Sequence, residues 1–155
     1  MSLMNFQKEV RENPVFPEGT YKVSITSYER CVAKSGTKQI RFKAAITEPK
    51  EHVGRSIIEH CALTDKALWK IANLINACGI NTSKIPNLDT ESGTFDKVLK
   101  SCVGRLSYWR LERGTDNKGN PRNDVVQYRA DPDQQVIDAN LDDDAPEFAK
   151  VEWEK

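Results

Sequence analysis

Between residues 63 and 79 apolar side chains recur every three or four positions. Leu68, Ile71, Ile75 and Cys78 form one stripe, which Ala67 and Leu74 widen. This spacing predicts an amphipathic helix. Thr64 can accept a hydrogen bond from the first-turn amides, Asp65 meets the positive end of the helix dipole, and Gly79 can take a left-handed stop. Elsewhere the period drops to two, the mark of a half-buried strand. Tyr21, Val23 and Ile25 alternate with Lys22, Ser24 and Thr26, and Tyr28 and Arg30 continue the wet side of that strand if no bulge intervenes. Over residues 39–47, Ile40, Phe42, Ala44 and Ile46 alternate with Gln39, Arg41, Lys43 and Ala45. A third strand spans 55–63, where adjacent Ile57 and Ile58 leave its facing open. A fourth spans 103–113 and a fifth 124–129, after a short second helix from Thr94 to Cys102 that turns Phe95, Val98 and Leu99 inward.

The resulting class is mainly β with helices, and the order is three strands, a helix and two strands. That is the order of a five-stranded OB-fold barrel, a Greek-key architecture that binds oligonucleotides or oligosaccharides, with the longer helix plugging one end. Residues 1–16 read as an N-terminal arm, 17–130 as the OB-fold domain and 131–155 as a flexible, disordered acidic tail.

Composition sharpens this picture through its distribution. The formal net charge is zero, yet residues 20–129 hold 19 Lys and Arg against 11 Asp and Glu, whereas residues 130–155 hold 2 against 9. A basic body with an acidic tail points to nucleic-acid contact. No apolar run approaches the length of a membrane span and no secretory signal is legible, so the expected location is the cytoplasm of a bacterial host. Cys31, Cys61, Cys78 and Cys102 form no C-x-x-C pair and have no metal-ligand spacing with His52 or His60, so they are expected to be free thiols, with no metal and no cofactor. A Gly-rich phosphate loop, H-E-x-x-H and a nucleophile elbow are all missing, so no enzyme is expected.

The candidate binding residues follow from the barrel scheme. Lys34 and Lys38 lie on the basic turn between the first two strands, one of the two loops that grip the ligand. Arg41 and Lys43 stand side by side on the wet face of the second strand, and Tyr28 joins them from the first. Lys118 and Arg122 lie on the second gripping loop, a hairpin tip dense in turn formers. In the fourth strand, alternation separates Tyr108 and Arg110 from Trp109 and Leu111; the first pair is placed outside because an arginine is easier to leave in water than a leucine.

Several short motifs carry a resemblance: Pro17 to Val23, the Lys34-Ser35-Gly36 turn, Val53-Gly54-Arg55, Leu63-Thr64 leading into Ala67-Leu68-Trp69-Lys70, and Val103-Gly104-Arg105. Together they resemble a bacteriophage and prophage family of uncharacterised-domain proteins, which looks like phage single-stranded-DNA-binding proteins. The resemblance covers about residues 15–130. It implies non-sequence-specific coating of single-stranded DNA during DNA replication or recombination. Asp142, Asp143, Asp144 and Phe148 are similar to the acidic, Pro-Phe-ended tail by which bacterial single-stranded-DNA-binding proteins recruit replication and repair partners. Here Trp153 and other residues follow the Phe. The alternative function is an OB-fold adaptor that recruits replication or recombination proteins without touching DNA. The expected partners are single-stranded DNA and such proteins, no membrane is expected, and a homo-oligomer is compatible with either reading.

Overall fold

A computed structural model describes residues 16–83, 85 and 88–141. The elements run β1 (Gly19–Val32), β2 (Lys38–Glu48), a 3-10 turn (Lys50–His52), β3 (Ser56–Ala62), α1 (Leu68–Ala77), β4 (Ile80–Asn81), α2 (Gly93–Cys102), β5 (Leu106–Thr115), β6 (Pro121–Ala130) and β7 (Ile137–Asp138). Five strands form one antiparallel sheet in the order β3-β2-β1-β5-β6, and β4 pairs in parallel with β7. The expected barrel is corrected on one point. Among the described residues β3 and β6 share no backbone ladder, so the sheet stays open along one seam.

Side chains span that seam instead. The Tyr128 hydroxyl of β6 donates to Glu59 Oε2 of β3 at 2.6 Å, and Lys70 Nζ of α1 lies 3.5 Å from Glu59 Oε1 while donating to the His60 carbonyl at 3.1 Å. Helix α1 packs against both β3 and β6. It buries Ile71, Leu74 and Ile75 on its inner face, so the stripe read from the sequence is its core face. The start is corrected: residues 64–67 form a turn, with the Ala67 amide on the Thr64 carbonyl, and neither Thr64 nor any other side chain caps the helix. Gly79 does close it, at φ 76°. A Cβ there would come 2.7 Å from the Arg105 guanidinium.

The core lies between the inward face of the sheet and the two helices, centred on Trp109, Phe42, Ile25, Ile40, Leu74 and Leu99, all fully buried. Helix α2 brings Phe95, Val98 and Leu99 inward, capped by Ser92 rather than Thr94, since the Ser92 hydroxyl accepts from the Phe95 amide at 3.3 Å. In β3 the open question resolves with Ile57 in the core and Ile58 outside. The four cysteines are free and buried. Burial pushes the Cys61 thiol up to about 12 and holds it protonated.

The bulge left open for the first strand is present: the β1 to β2 register shifts between Ile25 and Ser27. After it, even-numbered residues face inward. Tyr28, expected on the wet face, packs against the core with its hydroxyl donating to the Asp96 carbonyl at 3.2 Å. Arg30 is buried as well, bonded to Asp96 Oδ1 at 3.0 Å and to the Thr90 carbonyl at 2.7 Å.

The domain also extends past residue 130. Asp131 is buried and pairs with Lys22 at 3.4 Å. Gln134 mimics a strand residue: its side chain accepts from the Leu106 amide and donates to the Leu106 carbonyl, each at 2.8 Å. Arg105 ties the end of α1 to the same segment, donating to the Cys78 carbonyl at 2.9 Å and to the Gln135 carbonyl. Residues 131–141 thus belong to the folded body. At the other end Phe16 is buried, its amide and carbonyl both bonded to the Asn123 side chain at 2.7 and 2.9 Å.

The seam generates a stability prediction. Tyr128→Phe keeps the ring but removes the donor to a mostly buried carboxylate, and should destabilise the protein by about 1–2 kcal/mol. Urea unfolding measures this, and an unchanged midpoint would mean that the hydroxyl does not hold the seam.

Candidate functional site

Register assigns the outward positions of the sheet to rows that run across the strands. In one row His60 of β3 faces Arg41 of β2, which faces Glu29 of β1. In the next stand Ile58, Lys43 and Ser27. Ser56, Ala45 and Ser24 follow as a strip of small side chains. Beyond it Lys22 of β1 stands beside Tyr108 of β5, which stands beside Arg129 of β6, and the last row holds Thr20, Arg110 and Gln127.

Two cationic groups therefore flank a flat strip. Lys43 is exposed, and Ile58 beside it is 48% exposed, an apolar side chain that a stacked base can cover. In the second group Lys22 Nζ sits 5.7 Å from the centroid of the half-buried Tyr108 ring. The Asp131 carboxylate bonded to Lys22 raises its pKa, which holds the ammonium charged. Trp109 and Leu111 are fully buried and Arg110 is exposed, as alternation predicts.

Pairing qualifies the remaining cations. Arg41 is bonded to Glu29, Lys38 to Glu91 at 2.7 Å, Arg122 to Asp124 at 2.9 Å, and Arg110 lies 3.8 Å from Glu112. These are exposed pairs of small stabilising value, in competition with any phosphate. Lys34, Lys43 and Lys118 have no ion pair among the described residues.

The two expected gripping loops lie at opposite ends of β1, because Val32 faces Lys38 while Gly19 faces Leu111. Lys34 therefore lies beyond the Arg41 and Lys43 end, whereas Lys38, with the inward parity of Ile40 and Phe42, leaves that group and reaches Glu91 ahead of α2; Lys118 and Arg122 lie beyond the Arg110 end. The hairpin tip is built on Asp116, whose carboxylate accepts from the Lys118 and Asn120 amides at 2.8 and 2.9 Å; the Asn120 amide bond is the first cause of its lowered pKa. Tyr28 leaves the candidate set, being turned into the core. Asp142, Asp143, Asp144, Phe148 and Trp153 lie outside the described residues.

Lys22, Ile58, His60 and Arg129 join the set. Lys22 falls on the wet side of its own strand's alternation, and the outward facing of Ile58 and His60 is settled only by the burial of Ile57 and Glu59. Only the register between strands shows that Lys22 and Arg129 flank Tyr108. Among the described residues no group of three or more His, Cys, Asp and Glu is placed to hold a metal ion, and no helix is long and apolar enough to cross a membrane.

His60 gives the face a pH signature. Partial burial is the first cause of its lowered pKa, and the Arg41 charge adds to it, so the ring is neutral at pH 7. A histidine in the unfolded chain takes up its proton near pH 6.5 while the folded one resists, so its contribution to stability is present above that pH and is lost as pH falls below it. Urea midpoints of the wild type should fall between pH 7.5 and 5.5 more steeply than those of His60→Gln. Parallel slopes would show that His60 is not the sensor.

The family model described as "Protein of unknown function (DUF669)" matches residues 5–105, which reach from the N-terminal arm to the entry of β5. No curated protein matches the chain. The matched span holds the Arg41 and Lys43 group, while Tyr108, Arg110 and Arg129 lie beyond it.

Proposed function

We propose that this chain, which belongs to the family of unknown function DUF669, is a single-stranded-DNA-binding protein of phage or prophage origin. It coats strands without sequence preference during DNA replication or recombination. The observation that carries the reading is the outward row of Lys22, Tyr108 and Arg129, an aromatic ring between two cations, facing Lys43 across small side chains. Each nucleobase offers a flat face to a ring for about 1–3 kcal/mol whatever the base, while cations track the phosphates. The sheet topology supports the same reading. A five-stranded antiparallel barrel opened along one seam leaves its first and last strands as facing edges, as β3 and β6 stand here, so the fold is read as an OB barrel with an open seam.

Five of the candidate cations are carboxylate-paired, Lys22 with Asp131 among them, and this favours a second reading, an OB-fold adaptor that recruits replication or recombination proteins without binding DNA. The two readings separate in one titration series. A labelled oligo-dT should bind saturably, resist duplex competitor, and weaken with salt at a slope of roughly −0.7 per phosphate neutralised. Lys43→Ala should lower the slope by about that amount, and Tyr108→Ala should weaken binding about five- to hundredfold. Glu29→Gln removes one carboxylate charge from beside Arg41 and should tighten binding and steepen the slope. Absence of binding even at low salt would leave the adaptor standing.

A further inference from the structure

A groove of about 470 Å³ runs between α1 and β6, outside the sheet face described above. Its helix side presents Trp69, Asn73 and Asn76 at successive i, i+4, i+7 positions, with Lys70 beneath; its strand side presents Val126 and Gln127. Trp69 is 65% exposed and Val126 50% exposed, a pair of apolar surfaces with no role in the core. The volume is that of a small-molecule site, ample for one nucleobase.

We infer that this groove is a second base-binding subsite, in which Trp69 stacks on one unpaired base of the strand held by the sheet face. The inference rests on the single-strand reading and extends its path. Gln127 links the two regions, since it lines the groove and also stands in the Arg110 row of the outer face, one strand beyond Arg110. A strand crossing β5 and β6 along that row comes to the groove that Gln127 and Trp69 both line. The charge is compatible: among the described residues Lys70, which lies 3.5 Å from Glu59 Oε1, is the one charged residue lining the groove, and no carboxylate lines it. Asn73, Asn76 and Gln127 each carry a donor and an acceptor, so together they satisfy any base edge without selecting one. An extended peptide is disfavoured, because α1 already lies against β6 where an added strand would pair.

Oligo-dT titration of the full-length chain tests this, with the wild type, Trp69→Ala, Trp69→Phe and Tyr108→Ala compared by anisotropy and by tryptophan fluorescence. Trp69→Ala should weaken binding of a long oligonucleotide about tenfold and leave thermal unfolding unchanged, and Trp69→Phe should recover most of the loss. Binding should quench wild-type fluorescence, and the quench should vanish in Trp69→Phe. If Trp69→Ala binds as the wild type does while Tyr108→Ala is weakened, the subsite is refuted and the sheet-face reading stands. If no form binds oligo-dT at low salt, both fall together. Self-association lost in Trp69→Ala, with DNA affinity unchanged, would assign the groove to a second copy of the chain and overturn the inference.

Discussion

The register break between Ile25 and Ser27 in β1 decides what each face of this molecule is made of. β1 is the central strand, laddered to β2 along its length and to β5 over its first half. At Ile25 the second ladder ends, with the Ile25 carbonyl accepting from the Gly104 amide at 2.7 Å. Before the break Val23 and Ile25 point into the core; after it Tyr28 and Arg30 do. A single extra residue therefore converts a polar half-strand into the dock for α2, where Arg30 meets Asp96 and Thr90 and lies over the Phe95 ring at 5.4 Å. It also turns Glu29 outward, against Arg41, and so fixes how much positive charge the outer face offers.

The open seam is the complementary constraint. Without a ladder between β3 and β6, the two edges are held by one helix and by the Glu59, Tyr128 and Lys70 contacts. The Tyr128 phenol keeps its proton under this arrangement: burial, above all, raises its pKa, with Cys61 and Glu59 adding to the effect. The hydroxyl therefore keeps the proton that it donates to Glu59. Arg105 and Gln134 perform the same kind of service at the other end, substituting side-chain bonds for missing backbone pairing and fastening residues 131–141 to β5 and α1.

What was legible in the chain follows from these two features. Alternation placed Trp109 and Leu111 in the core and Arg110 outside, because β5 keeps a regular pleat through those residues. The helical stripe of Leu68, Ile71 and Ile75 was legible for the same reason, although its start was not: Thr64 looks like a cap but its segment closes as a turn. Tyr28 was misplaced because a bulge leaves no mark in a window of alternating residues. The boundary near residue 130 was drawn on acidity, yet Asp131 is acidic and buried, bonded to Lys22. Charge composition does not distinguish a solvated carboxylate from one that completes an ion pair. The pairing of Arg41 with Glu29 was hidden likewise, since it depends on register across strands.

The central claim is that the outer face of the open sheet holds a single strand between two cationic groups. Backbone amide shifts of isotope-labelled protein titrated with oligo-dT test it most directly. The account predicts perturbations concentrated on β1, β2, β3, β5 and β6 at Lys22, Lys43, Ile58, His60, Tyr108, Arg110 and Arg129, with Tyr28 and the inward face of α2 unmoved. Saturable binding with shifts confined to α2 and residues 131–141, and the sheet face silent, would contradict it.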